Sequence, residues 1–569
     1  MQITLQNKIN SKHVSIIISF VLNLIVYLLS LCVSPHFETN DDLIMSSLLY
    51  GTSGSVGTSY LVFSSRVWGI VLLFFSSLFK SINVYFIAQI IVCFLSSLVI
   101  TEVLIDKYSN KDVIILLIVW FSAVFEVYHY TQFTKTAGLA SIAGMLGVLF
   151  FTGKTKRLGM LILSSSLIVL GFNIRSSSMY LGVLSMGSVC LFFLLHDFES
   201  FKKKLPKYVI VFGSVLLIIC FCLLIDYCFN SSNEQIKSFQ TFNELRAKLN
   251  DNYFNRTSMN EELKNAVLDL ETQNPVMFSN FRMVGAWMSN DPQTITIDSL
   301  KELSDFVDLY NHCSVSDMIH IYLFNYIPIL FSSEPLFFAA VFLCITNLFF
   351  SKNRLYSFFS IVITIISQCY LVFQGRYGVH RVDYVILLAL IVSQLYLFEY
   401  AKISNSFKRL FLLSGIIFAE IIIGCCGFAL YKSISTTVSD INNMRICNQK
   451  IQDIIQSDEK YMIHSFVPSY ADTERSIYLA PQKDVFSDDF FIGGWTSGEL
   501  FGDVINCNID GNPWVQCVDS DDIKFLLPTD KGDYLMGVIR SHIELHYGIK
   551  TYSVLERSND YYSVYSLKT

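Results

Sequence analysis

Three carboxylates stand within five residues at Glu38-Thr39-Asn40-Asp41-Asp42. A carboxylate beside a bound hydroxyl acts as a general base, a role worth ~10²–10⁴ in rate. Asp41 and Asp42 are the candidates. Adjacent acids face opposite sides of an extended loop, or diverge by roughly 100° on a helix. One of the two therefore reaches a reacting group, while the other orients a neighbour. The plain alternative is that Asn40-Asp41-Asp42 only caps the helix that follows. Its place directly after a long uncharged run, with Gly51, Gly54 and Gly57 close behind, favours a functional loop.

The second set of candidates is cationic. Arg66, Lys80, Lys135, Arg175, Arg376 and Arg381 stand at the ends of apolar runs. Arginine grips phosphate through a planar fork and lysine through a point charge. Phe133-Thr134-Lys135-Thr136 adds hydroxyls, Gln374-Gly375-Arg376-Tyr377 a phenol, and His380-Arg381-Val382-Asp383 an imidazole. Singly, each cation is explained by snorkelling to lipid phosphates or by pairing with an acid such as Glu126 or Asp383. As a group they read as a phosphate site of Lys135, Arg175, Arg376 and Arg381, supported by Glu38, Thr134, Tyr377 and His380. His129 and His380 are joined by no CxxC or HExxH spacing, so no zinc site is read. One Mg²⁺ or Mn²⁺ on Asp41 or Asp42 stays open, since hard cations take carboxylate oxygens. Asp488-Asp489 and Asp519-Ser520-Asp521-Asp522 read as solvated turns. Nothing reads as nucleic-acid binding, and no cofactor is required.

The elements that must position these residues are membrane helices. Only 15% of the 569 residues are charged, against ~25% in soluble domains, and the mean hydropathy is +0.48. Segments long enough for a hydrocarbon core of ~30 Å, or nearly so, are 14–33, 83–105, 113–129, 136–152, 158–174, 179–196, 208–229, 335–350, 355–373, 383–400 and 410–432. The fold class is thus a polytopic α-helical membrane protein with about eleven spans. No small-residue cleavage site follows the first segment, which is read as a retained span. Lysines 107 and 111, 154 and 156, and 202–204 with 207 cluster in loops that share one side, and that side is expected to be cytoplasmic. The acidic loop, 34–82, then lies outside, with the six cations just described. Segments 61–79 and 321–331 break the alternation and are expected as interfacial helices.

Outside the membrane two further regions are expected. Residues 230–318 carry mixed charges at helical spacing and form a helical subdomain belonging with the 1–432 membrane domain. Residues 433–569 alternate short apolar runs with turns such as Gly493-Gly494-Trp495, and read as an extracytoplasmic α/β domain. Cys507 and Cys517 flank a Gly-Asn-Pro turn and would suit a disulfide in an oxidising compartment. Tyr253, Trp287, Trp495 and Trp514 are candidates for stacking on acceptor sugars, with core packing as the alternative for each.

Taken together, the Glu38-to-Asp42 loop, the Gln132-to-Ala137 segment, Arg175, the Ala286-to-Asp291 stretch and the Arg376-to-Asp383 loop resemble the GT-C superfamily of integral-membrane glycosyltransferases. The likeness is closest to bacterial members that modify O-antigen, lipopolysaccharide or other surface polysaccharides, and it covers about residues 10–430. It implies a sugar donor linked to a polyprenyl phosphate such as undecaprenyl phosphate. It also implies a glycan or lipid-linked glycan acceptor, and a site on the outer face of the bacterial cytoplasmic membrane. The acid of the first loop, Asp41 or Asp42, would deprotonate an acceptor hydroxyl, and the cations would hold the leaving phosphate as the sugar inverts. A polysaccharide polymerase or ligase shares most of these features. A transporter or lipid flippase would instead place ionisable residues at mid-span, where this sequence has few.

Overall fold

The computed structural model describes residues 2–52, 57–108, 112–196, 198–254, 261–310, 314–399, 408–456, 458–464, 476–481, 489–494 and 512–569. The membrane bundle is wound around the helix Phe133–Phe151. Its N-cap, Gln132, accepts from the backbone N–H groups of Thr134 and Lys135 at 2.5 and 3.3 Å. Small residues then recur along it, so neighbouring backbones come close, as membrane helices favour. A Cβ on Gly147 would lie 2.0 Å from the Ser164 hydroxyl of the adjacent helix, so only glycine fits there.

Among the described residues, eight helices are long and apolar enough to cross a membrane, or up to ten if each of two bent pairs is one span. The segment expected at 113–129 is a shorter apolar helix. Three expectations change in detail. The 179–196 segment is two helices, Ser176–Ser185 and Gly187–Leu195, meeting at 42°. The 321–331 segment is one arm of a pair, Val315–Ser333 and Phe337–Phe350, folded at 104°. The last span runs on without a break as Lys408–Gln452, about 68 Å at 1.5 Å per residue, well past residue 432. The 61–79 segment forms the apolar helix Arg66–Leu78.

Two short strands tie the acidic loop to the central helix. β1 (His36–Phe37) pairs in parallel with β2 (Tyr130–Thr131), which directly precedes the Gln132 cap. The Glu38 N–H extends the pairing onto the Thr131 carbonyl at 3.0 Å. The loop thus leaves β1 at a fixed height against the start of Phe133–Phe151.

The C-terminal region carries β3 (Lys460–Ile463), β4 (Phe490–Phe491), β5 (Ile523–Pro528), β6 (Tyr552–Ser558) and β7 (Tyr562–Lys568) in one sheet of order β4-β3-β5-β7-β6. Helix Gly532–Tyr547 packs on it. The described residues of 230–318 are largely helical, and their buried apolar side chains share a core with the sheet. Phe242, Met283, Leu300 and Leu303 pack in one cluster with Met462, Trp514, Phe525, Ile539 and Leu567 of the sheet and its helix. Polar contacts reinforce the seam. The Trp514 indole donates to the Asn290 carbonyl at 3.0 Å, and Asn290 Nδ2 donates to Phe491 O at 2.7 Å.

At the centre of that seam His542 is fully buried, within 2.9 Å of Asp291 Oδ2 and 3.2 Å of the Ser279 hydroxyl. The Tyr547 hydroxyl donates to the same carboxylate. The order Ser279–His542–Asp291 has the residue types of a hydrolytic triad, but the imidazole and carboxylate have no exposed surface, so it serves as a lock. Burial raises the Asp291 pKa, and hydrogen bonds from His542 and Tyr547 outweigh it and hold the carboxyl below its usual range. A carboxyl depressed in the fold stabilises above its unfolded pKa and loses that stabilisation as pH falls. Asp291→Ala strands a buried imidazole and phenol and is expected to destabilise the extramembrane unit by ~3–5 kcal/mol. Limited proteolysis should show cleavage in 234–310 and the C-terminal sheet while the bundle stays intact.

Candidate functional site

The acidic loop opens the helix Asn40–Tyr50, with Thr39 at the N-cap and Asp41 and Asp42 in the first turn. Their carboxylates sit where the helix dipole favours negative charge. The helix also turns them apart, as the spacing requires. Asp42 points inward and has no exposed surface. Its Oδ1 accepts from the Tyr85 hydroxyl (3.0 Å), Gln89 Nε2 (3.0 Å) and the Phe133 N–H (3.1 Å), and Oδ2 lies 3.4 Å from the Thr39 hydroxyl. Burial pushes its pKa up to about 7, against the pull of the Gln89 hydrogen bond. Asp42 therefore joins three elements. Asp41 points the other way, half-buried, with Oδ2 3.9 Å from Arg381 Nη2.

Lys135 has a different role from the one expected of it. Its side chain is 0% exposed, and Nζ lies 2.7 Å from Glu38 Oε2 and 2.5 Å from Glu126 Oε1. With two carboxylates on one ammonium, it is not an open phosphate ligand. A buried ammonium in a helix bundle is tolerated only when paired, and Glu38 and Glu126 provide that pairing. His380 extends the network, with Nε2 2.7 Å from Glu126 and Nδ1 2.9 Å from Glu334. Thr134 is buried, and its hydroxyl is enclosed without a hydrogen-bond partner. Glu38, Thr134 and His380 thus belong to a closed layer, with Lys135 at its centre.

Next to it lies a cationic layer. Arg175 sits at the junction of helices Leu158–Ile174 and Ser176–Ser185, its guanidinium over the rings of Phe133 at 4.7 Å and Phe63 at 5.4 Å. Burial, Arg381 and Arg376 lower its pKa to about 10, so it stays charged at neutral pH. Arg376 stands in the turn between Arg354–Gln374 and His380–Leu397 and reaches Asp251 at 3.9 Å. Tyr377 packs on Tyr326, ring centres 5.7 Å apart. Arg246 enters from the extramembrane helices. It is buried, held by Asn243, and lies over the Trp287 ring at 5.9 Å. Burial lowers its pKa, Asp251 and Asp41 raise it, and Arg376 lowers it again, which places Arg246 in the same field. Trp287 holds φ 59°, a left-handed conformation that costs ~1–2 kcal/mol for a side chain of this size and sets its ring against the arginine.

Arg175, Arg376 and Arg381 are therefore brought together with Asp41. Four guanidiniums face two carboxylates, Asp41 and Asp251, leaving a positive excess suited to an anion. Of the two acids considered for Mg²⁺ or Mn²⁺, Asp42 has its Oδ1 taken up by three donors, and Asp41 faces a guanidinium. Among the described residues, no three acids, histidines or cysteines gather to hold a metal. The other expected positions fall away from the layer. Trp514 is buried in the extramembrane core. Cys517, one half of the expected Cys507–Cys517 disulfide, is a buried thiol facing the Trp514 carbonyl at 3.3 Å. Cys507 and Trp495 lie outside the described residues.

Sequence reasoning passes over Arg246 and Asp251, which stand among many other charges and carry no contrast. It also passes over Gln89 and Tyr85, which are polar groups inside a span and so carry a signal of their own. His542 and His546, four residues apart on one helix, likewise escape it.

No family model matches the chain, and no curated protein matches it. Among solved structures, a crystal structure of ArnT from Cupriavidus metallidurans in the apo state is similar over 97% of both chains, at 11% identity and a TM-score of 0.39. A likeness that loose fixes neither fold nor activity.

Two outcomes test the closed layer. Lys135→Met leaves Glu38 and Glu126 enclosed without their counter-charge and is expected to destabilise by ~3–5 kcal/mol, read as a lower thermal midpoint in detergent. For Asp42, the unfolded carboxyl ionises near its ordinary 3.8 while the folded one holds its proton to about 7. Its contribution is full at acid pH and declines as pH rises through that window. Asp42→Asn should flatten this decline when the midpoint is followed from pH 4 to pH 8.

Proposed function

We propose that this chain is an inverting glycosyltransferase. It would move a sugar from a polyprenyl-phosphate-linked donor to a surface-glycan acceptor at the outer face of the membrane. The observation that carries the reading is Asp41 standing against Arg381 at the edge of a group of four guanidiniums. The sequence likeness to GT-C enzymes over the same loops supports it.

In this mechanism Arg175, Arg376 and Arg381 hold the donor phosphate. Once the phosphate engages Arg381, Asp41 is released from that contact and can turn to the acceptor hydroxyl. Its carboxylate takes the proton of an acceptor hydroxyl, and that oxygen attacks the anomeric carbon from the side opposite the phosphate. The bond from the anomeric carbon to the phosphate oxygen breaks. Its electron pair stays on the phosphate, where guanidiniums are already oriented to receive the charge. Asp42 keeps the loop at its height, and Trp287 with Arg246 closes the site from the extramembrane side.

Asp41→Asn retains shape and removes the base. Transfer from a polyprenyl-phosphate sugar should fall by ~10²–10⁴, with donor binding and protein level unchanged. Arg376→Gln should instead raise the donor KM. Near-normal transfer in Asp41→Asn would remove Asp41 from the chemistry.

A further inference from the structure

A cavity of about 270 Å³ lies beside the arginine layer, between the loop 59–66, the ends of helices Leu158–Ile174 and Phe198–Ser231, and the starts of Ser176–Ser185 and Glu234–Ala247. It is preformed. Ser65 N–H donates to the Asn173 carbonyl at 2.8 Å, and the Ser64 hydroxyl donates to Ile174 O at 2.8 Å. A Cβ on Gly69 would sit 1.9 Å from Ser59 O, so only glycine lets the loop lie this close. Phe63 forms part of the wall and also carries the Arg175 guanidinium, so the cavity and the cationic layer share a partition.

The lining combines flat aromatic faces with polar groups that bond hydroxyls. Tyr60 and Tyr180 supply rings, and Asp226, Asn230 and Gln240 supply acceptors and donors. Arg66 adds a charge. Its guanidinium is held between the rings of Tyr60 at 5.4 Å and Phe229 at 5.5 Å. Its Nε and Nη1 are enclosed without a hydrogen-bond partner, and among the described residues it forms no ion pair, so a ligand entering the cavity would meet it from the remaining edge of the guanidinium. Asp226 Oδ1 instead accepts from the Arg66 backbone N–H at 2.7 Å. Drug-sized ligands occupy ~300–1,000 Å³, so this space suits a single ring. With Asp226 beside the one guanidinium, the lining offers little net charge to offset the desolvation of a dianionic phosphate. A polyol with a single carboxylate loses less hydration and uses the hydroxyl-bonding groups.

We propose that this cavity binds one carboxylate-bearing sugar residue, of the hexuronate class, with the carboxylate directed at Arg66 and the hydroxyls at Asn230 and Gln240. That this residue belongs to the acceptor glycan rests on the transferase reading above. The cavity's proximity to Arg175 would then set which acceptor hydroxyl arrives before Asp41.

The test is binding, without turnover, to the purified full chain in nanodiscs, with glucuronate, glucose and inorganic phosphate as probes in saturation-transfer NMR. Glucuronate should bind about tenfold more tightly than glucose, and Arg66→Gln should remove that preference. Asp226→Asn keeps the acceptor for the Arg66 N–H but removes the repelling charge. It should tighten glucuronate roughly threefold or more, a gain that structural damage would not produce and that decides the matter if Arg66→Gln fails to fold. Equal binding of glucose and glucuronate, no gain in Asp226→Asn, or Arg66-dependent phosphate binding tighter than glucuronate would each overturn the proposal. A chain that binds glucuronate through Arg66 but transfers no sugar would sink only the transferase reading. A chain that transfers sugar without this binding would sink only the present one.

Discussion

The ammonium of Lys135, enclosed between Glu38 and Glu126, is the interaction on which the arrangement depends. Taking an ion out of water costs several kcal/mol even after relaxation, and only close, well-formed pairing offsets it. Each partner here comes from a different place in the chain. Glu38 arrives on the strand pair β1–β2, Glu126 on the short helix before it, and His380 couples Glu126 to Glu334 across the bundle. Moving any one of these segments would leave a charge unpaired, so the network fixes all of them. Asp42 does the same with neutral donors a few ångströms away.

That closed layer determines what is left over. With Glu38, Glu126 and Asp42 turned inward, the carboxylates paired with these arginines among the described residues are Asp41 and Asp251. Burial first, then Arg381 and Arg376, lower the Arg175 pKa, so the guanidiniums lie near enough to repel one another. An anion bound as proposed would relieve that repulsion. The aromatic faces of Phe63, Phe133 and Trp287 hold guanidiniums without neutralising them. They allow the charges to be ordered and available at once.

Much of this was legible in the sequence. Runs of about twenty apolar residues mark spans because the hydrocarbon core sets their length, and the lysine clusters order the loops. Cations at the opposite ends of those spans stood out for the same reason, which is how Arg175, Arg376 and Arg381 could be grouped. Lys135 carried the identical signal, yet its charge is consumed by pairing. A one-dimensional reading sees a charge and not its partner, and Glu38 lies 97 residues away. The choice between Asp41 and Asp42 was closed for a similar reason, since it turns on the rotation of one helix against Tyr85 and Gln89. The common core of 230–318 and the C-terminal sheet was hidden because its contacts join segments some two hundred residues apart, such as Asn290 and Trp514. Spacing alone also says nothing of burial: Cys517 is packed at the end of a helical turn, where a thiol acts as a small hydrophobe.

The site also depends on how two cores are held together. Asp41, Arg175, Arg376 and Arg381 belong to the membrane bundle, whereas Arg246, Asp251 and Trp287 belong to the extramembrane unit. The continuous helix Lys408–Gln452 passes from one to the other. On its way it meets the closed layer: Ser433 lies 3.1 Å from His129 Nε2, and Asp440 accepts from the Tyr130 hydroxyl at 2.7 Å. Tyr130 is the residue of β2 whose ring also lies over Lys135, at 4.7 Å. The rod that carries the C-terminal sheet is therefore anchored beside the ion pair that sets the height of the acidic loop. A helix without a break transmits position along its whole length, so the two halves of the arginine layer are measured from one reference point. This explains why a 45-residue helix is used where a span and a flexible linker would have sufficed to attach a domain.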